Sequence, residues 1–359
     1  MRSEIRTALI MGAIIAGLVV GLGAYFSTLD QPDDFNPQDM SKTDKSRFKK
    51  VPELVGVAGY INSDSTLQEK IMGKVVLYDI WTYSCINCHR TIPYITAWDE
   101  KYSDQGLVII GIHSPEFEFE KDINNVKRAV EKFGIKYPVV LDNDKKTWDA
   151  FENRYWPRKY LADDEGYIRY DHIGEGEYDE TEMIIQKLLK ERAEKLGISV
   201  PEQSLVDIEQ YKHGSRTPEL YFGYDFAFGR SQIGNPEGFR PNQEVTYTIS
   251  DKLRENNFYL DGTWKNLEDR MILTSESGRI VLPYFAKQVN IVAAGESEIQ
   301  ILLDGKMISD QHSGIDVKDG KTTINGATLY NLVNIKDSSS HVLEIQAGRS
   351  FEIYTFTFG

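Results

Sequence analysis

The chain has 359 residues and a formal net charge of −14, with 41% hydrophobic and 27% charged residues. That length admits two domains with appendages, and the composition is ordinary for soluble globular protein. The acidic balance argues against a nucleic-acid binder, which would need a basic face, and two cysteines are too few for a disulfide scaffold.

The first element is apolar. From Ala8 to Phe26 no residue is charged, a run of 19 residues, and about 20 helical residues span a bilayer. The apolar core of a secretory signal is shorter, roughly 7–15 residues. Arg2 and Arg6 precede the run, and Asp30, Asp33 and Asp34 follow it. The positive-inside rule then keeps residues 1–6 in the cytoplasm. Residues 7–26 read as an uncleaved signal anchor, with a cleaved signal peptide as the alternative. The protein is expected at the cell membrane as a single-pass chain, its bulk in an oxidising extracytoplasmic compartment. Residues 27–50 are polar and read as a tether.

Residues 51–198 alternate strand and helix. "KVVLYDIW" is a buried strand, followed by a helix from about Cys85 to Tyr102. "GLVIIGIH" is a second strand, "KDINNVKRAVEKFG" a helix closed by Gly134, "YPVVLD" a third strand and "KKTWDAFENRY" another helix. "PRKYLADDEGYIRYDHIG" is a hairpin, and "DETEMIIQKLLKERAEKLG" a terminal amphipathic helix ending at Gly197. The sum predicts a central sheet with helices on its faces, the α/β class. Residues 199–217 read as a linker. Residues 218–359 carry short alternating runs such as "VTYTIS", "EIQILLDGK" and "FEIYTFTFG", which predict an all-β sandwich.

Both cysteines lie in "YDIWTYSCINCHRTIP". C-x-x-C-H is a haem-attachment signature, and C-x-x-C near a β-α pattern is a thioredoxin-like redox pair. A haem would need His89 as its ligand and an apolar pocket, whereas an α/β pattern surrounds the motif. A structural zinc site needs four ligands, and Cys85, Cys88 and His89 lack a fourth. The redox reading has independent support. Cys85 stands where a buried strand ends and a helix begins, and a helix N-terminus stabilises a thiolate. That makes Cys85 the nucleophile and Cys88, one turn further in, the resolving partner. No metal and no cofactor beyond a Cys85–Cys88 disulfide is expected. Asp79 on the strand beneath should have a raised pKa and accept the Cys88 proton. His89 and Arg90 add cationic character beside the pair.

The motif resembles a thioredoxin-fold active site: an acid six residues before the first cysteine, a tryptophan four before it, and a proline five after the second. With "NRYWPRKYLADDEGYIRYDHIG" and "SRTPELYFGY", the chain is similar to the TlpA/DipZ-like membrane-anchored redoxins. Their C-terminal β domain is jelly-roll and similar to carbohydrate-binding modules. The resemblance covers residues 51–359. It implies that Pro157 is a cis-proline facing the disulfide, and that Trp81, Tyr83 and Trp156 contact substrate. It also implies disulfide-containing envelope or secreted proteins as substrates, and a separate membrane electron donor of the CcdA/DsbD type. Two rival functions stand beside this one. Thr82-x-x-Cys85 matches half of a peroxiredoxin pattern, which would make the protein an antioxidant thiol peroxidase. Alternatively, Tyr221, Tyr224, Trp264 and Tyr284 form an aromatic platform for a glycan or partner on the β domain.

Overall fold

The computed structural model describes residues 45–201, 203–250 and 252–359. The expected membrane anchor, 7–26, and most of the 27–50 tether lie outside them. Among the described residues no helix is long and apolar enough to cross a membrane.

The first region is built from β1 (Gly59–Ile61), α1 (Leu67–Lys70), β2 (Val75–Trp81), α2 (Ile86–Tyr102), β3 (Leu107–His113), α3 (Ile123–Lys132), β4 (Val139–Leu141), α4 (Lys146–Ala150), β5 (Arg158–Ala162), β6 (Ile168–Ile173) and α5 (Tyr178–Leu196). Its sheet has the order β1-β4-β3-β2-β5-β6. β2, β3 and β4 are parallel, and the outer pairings are antiparallel. β2 is buried along its whole length, as a central strand covered on both faces must be. Alternation sends Val75, Leu77 and Trp81 to one face, with Trp98 of α2 and Leu188 of α5. Val76, Tyr78 and Ile80 go to the other, with Leu67 and Trp148. Asp79 shares the parity of Leu77 and Trp81, so it lies under the α2 face. Gly111 on β3 pairs with Asp79, and a Cβ at this position would come 2.9 Å from Trp81 Nε1.

Helix ends follow the local signals. Asp122 caps α3 by accepting the Asn124 N–H at 2.8 Å. α5 ends on Gly197 at φ 68°, the left-handed cap that glycine adopts without strain. α2 continues through Pro93 to Tyr102. β1 and α1 have no counterpart in the sequence reading, being too short to show a period.

The segment expected as a linker is a packed strap. Val206 and Ile208 sit against the core of the α/β region. Tyr94 donates to the Ile208 carbonyl at 3.1 Å, and the Val206 N–H donates to Glu182 at 2.8 Å. The Arg90 guanidinium lies 3.7 Å from the Tyr211 ring centroid.

The C-terminal region is all β. It comprises β7 (Leu220–Tyr221), the short helix α6 (Tyr224–Ala227), β8 (Glu244–Tyr247), β9 (Tyr259–Asn266), β10 (Met271–Leu273), β11 (Ser277–Ala294), β12 (Glu296–Leu303), β13 (Lys306–Met307), β14 (Lys321–Asn325), β15 (Thr328–Gly348) and β16 (Glu352–Phe358). The expected sandwich is realised as one continuous ten-stranded sheet that curls on itself. β11 pairs with β9 through Arg279–Val281 and with β16 through Val289–Ala294. Its register against β15 shifts at Ala286/Gln288, between those stretches, and at Val289/Asn290, where the second begins, and such bulges bend a strand. The enclosed core takes in Trp264 and Tyr284, both 0% exposed, and Tyr221 is buried as well. This corrects the expected aromatic platform. Trp264 and Tyr284 went inward because large aromatics are what a curled sheet needs to fill its interior, and Tyr221 is buried in the cluster between the two regions.

Phe48 to Gly359 form one compact unit. Phe117 from the α/β region meets Phe226 at 5.5 Å and Tyr354 at 5.0 Å, and Phe119 meets Tyr354 at 4.8 Å. The two regions therefore share an apolar cluster with its own buried residues.

Candidate active site

Cys85 is the N-cap residue of α2, extended at φ −81° and ψ 118°. Its sulfur accepts the Cys88 N–H at 3.4 Å, one of the donors a helix start leaves free. Cys85 is half-buried and Cys88 only 1% exposed, and both are free thiols. Burial, then contact with Cys85, pushes the Cys88 thiol well up. One sulfur is thus reachable from outside, and the other only through it.

Asp79 is 1% exposed, and its Oδ1 has no hydrogen-bond partner. Burial raises its pKa to about 7, opposed by the charge of Lys159. Lys159 pairs with Asp79 across β2 and β5. It is itself fully buried, donates to the Gly174 carbonyl at 3.0 Å, and is lowered to about 8 by burial. A carboxylate poised near neutrality and within the electrostatic reach of Cys88 is suited to proton exchange with that thiol.

The turn before Cys85 is held by Glu120. Its carboxylate accepts the Ser84 hydroxyl at 2.6 Å and N–H at 3.3 Å, and the N–H groups of Glu116 at 2.6 Å and Phe117 at 3.0 Å. One buried acid therefore ties the active-site turn to the loop after β3. The Trp156–Pro157 peptide is cis. Trp156 Nε1 donates to the Ser114 carbonyl at 2.9 Å, and the residue lines the cleft that holds Cys85.

Trp81 and Tyr83 do not have the substrate-contacting placement expected of them. Trp81 is 0% exposed, because it ends a strand covered on both faces. Tyr83 is 4% exposed. Its ring stacks on His113 at 5.7 Å, and its hydroxyl donates to the Ala327 carbonyl of the β region at 3.2 Å. The β region covers it.

His89 is not a cationic neighbour of the thiols. Its Nε2 donates to the Tyr83 carbonyl at 2.6 Å, and burial lowers its pKa to about 4. The nitrogen a haem iron would take is thereby committed. Arg90 is held by Glu175 at 3.2 Å and by Gln288 of the β region at 3.2 Å. Thr82 Oγ1 lies 3.4 Å from His113 Nε2. That places the threonine of the half-matched peroxiredoxin pattern against a histidine pushed down by burial to about 3. Sequence reasoning missed Glu120, Lys159 and His113. A lone acid, lysine or histidine carries no spacing signal, and only strand pairing and the β3 loop bring these to the cysteines.

A six-stranded sheet with a C-x-x-C pair at a helix N-terminus defines a thioredoxin-like protein. Residues 49–189 match the Redoxin family, and residues 217–359 match the family described as Thioredoxin like C-terminal domain. Protein DipZ of Mycobacterium tuberculosis (strain CDC 1551 / Oshkosh) is 33% identical over 312 residues, which are 86% of this chain and 42% of DipZ. The chain therefore spans less than half the length of that relative. Thiol-disulfide oxidoreductase YkuV of Bacillus subtilis (strain 168) is 30% identical over 141 residues, 39% of this chain and 95% of YkuV. NHL repeat-containing protein 2 of Homo sapiens is 34% identical over 165 residues, 43% of this chain and 23% of that protein. The chain belongs to the redoxin family that includes such thiol-disulfide oxidoreductases.

Proposed function

We propose that the protein is a thiol–disulfide oxidoreductase working through a Cys85–Cys88 dithiol/disulfide couple. The observation that carries this is the asymmetry of the pair: a reachable Cys85 sulfur accepting the Cys88 N–H at 3.4 Å, and a buried Cys88 above a buried Asp79. In the reducing direction the Cys85 thiolate attacks a substrate disulfide. A Cys85–substrate bond forms, and the second substrate sulfur leaves as a thiolate. Cys88 then passes its proton to Asp79 and attacks the Cys85 sulfur. The Cys85–Cys88 disulfide closes, the first substrate sulfur is released, and two electrons have moved to the substrate.

The substrates we propose are disulfide-containing envelope or secreted proteins. The reducing electrons come from a membrane partner of the CcdA/DsbD type. Support for both is the similarity to Protein DipZ together with the apolar run Ala8–Phe26, which also supports a single-pass membrane location with the catalytic region outside the cytoplasm.

Trapping tests the assignment. The Cys88→Ser variant, incubated with insulin, is expected to accumulate a covalent adduct through Cys85 that dithiothreitol releases. Cys85→Ser is expected to form none. An adduct on Cys85→Ser and none on Cys88→Ser would reverse the roles, and no adduct on either would remove the activity.

A further inference from the structure

The cleft that holds Cys85 has a volume of about 260 Å³ and is walled by both regions. That is slightly smaller than most small-molecule pockets. Cys85 and Trp156 line it from the α/β region, and Glu219, Tyr221 and Thr357 from the β region, with Glu116 also at its surface. Three features of this wall have no part in the exchange chemistry.

The Tyr221 hydroxyl lies 3.0 Å from Glu116 Oε1 and 2.8 Å from Glu219 Oε2. A phenol has one hydrogen to donate. It therefore satisfies one carboxylate, and the other faces its oxygen and lacks a counter-charge. Among the described residues no cation stands within ion-pair distance of either acid; Lys145 and Arg230 act on them only at longer range. Arg230 instead lies over the Tyr221 ring, 4.9 Å from its centroid. Burial and the neighbouring charges of Glu219 and Glu120 push Glu116 well up, as expected where like charges wait for a partner. Independently, Thr357 is 4% exposed, and its Oγ1 has no hydrogen-bond partner. Buried hydroxyls are almost always paired, so an orphan in the wall of a cleft points to a bond that a ligand completes.

We propose that this wall selects the substrate: the cleft takes a disulfide that carries an ammonium or guanidinium group close to the reacting sulfur. The cation pairs with the Glu116–Glu219 couple, and the Thr357 hydroxyl bonds a polar atom of the same substrate. The inference rests on the thiol–disulfide reading above and names its substrate class. The electron balance is unchanged, with two electrons passing from the dithiol to the bound disulfide and both substrate sulfurs leaving as thiols.

The test uses reduced full-length protein and three disulfides of equal reach: cystamine, 2-hydroxyethyl disulfide and 3,3′-dithiodipropionate, carrying positive, zero and negative charge. Each rate is divided by its rate with free dithiothreitol, which removes intrinsic reactivity. The expected order is positive over neutral over negative, with at least a tenfold span. Glu219→Gln should collapse that span to within about threefold. Thr357→Val should raise KM for cystamine without lowering the melting temperature. Two peptide disulfides, with Lys or Glu beside the cysteine, separate the sources. Discrimination among peptides alone assigns the cation to a polypeptide, and among small disulfides alone to a free amine. Equal normalised rates for all three disulfides, or a span that survives Glu219→Gln and so comes from the net charge, overturns the inference and leaves the oxidoreductase standing. No reaction with any disulfide overturns both.

Discussion

The two regions treat buried charge differently. In the α/β region Asp79, His113, Glu120, Asp142, Lys159 and Glu182 are all at or below 1% exposure. Among the described residues of the β region the buried polar ones are all neutral, such as Gln232, Asn235, Asn266 and Thr355. Burying a charge without a close partner is costly. Asp79 and Lys159 bear that cost as displaced pKa values beneath the cysteines. Among the described residues, the one β-region carboxylate pushed upward is Glu219, which faces the cleft. The α/β region thus holds reactive groups in unfavourable ionisation states. The β region supplies a mass with a neutral interior that covers Tyr83 and walls the cleft.

The largest expected break in this contrast is Cys85→Ser. It should lower disulfide exchange by at least about 10³-fold, since the one other thiol, Cys88, is 1% exposed, and move the melting temperature little. Insulin reduction with parallel thermal melts reads both. Phe117→Ala should instead act on stability. It empties a 2%-exposed site in the shared apolar cluster, at a cost of about 3 kcal/mol. Calorimetry should then resolve two transitions where the wild type shows one. A single, merely shifted transition would mean that the regions cohere without that ring.

Asp79→Asn sharpens the electrostatic side. The resolving step should slow by about 10²-fold and lose its pH midpoint near 7, read by single-turnover kinetics from pH 5 to 9. Its effect on stability has a definite sign. Folded Asp79 keeps its proton to about pH 7, against an ordinary aspartate value of 3.8. Its contribution is therefore full below about pH 4 and is lost as pH rises through 7. The variant should match wild type at pH 4 and melt about 5 °C higher at pH 8. A difference of the opposite sign would place the carboxylate in a stabilising role. The smallest effect is expected from Tyr83→Phe, which removes the bond to the Ala327 carbonyl and should cost about 1 kcal/mol in urea titration.

The contrast also explains what was readable from the residues alone. The buried run "VVLYDIW" and the closing Gly197 announce themselves locally, and the structure has the strand and the helix end where they predict them. Cys85 at a strand-to-helix junction is equally local, because three or four residues define a helix start. Lys159 meets Asp79 only through an antiparallel pairing 80 residues away in sequence. Glu116 and Tyr221 meet across the boundary between regions. Neither contact leaves a periodic trace. Trp81 and Tyr83 were misread for a related reason. Adjacency to the cysteines in sequence is not exposure beside them, and the covering came from Ala327 and the β3 strand. The curl of the β region depends on bulges in β11, which alternation alone does not locate.

The reversible pair itself is tested most directly by equilibrating the protein in glutathione or dithiothreitol buffers of graded potential, alkylating, and counting free thiols by mass. The two thiols are expected to close together in a single two-electron transition, between about −270 mV and −120 mV, the span from thioredoxin to strongly oxidising relatives. Thiols that stay open across that range, or that disappear one at a time, would contradict a Cys85–Cys88 couple and leave the buried charges beneath them without a function.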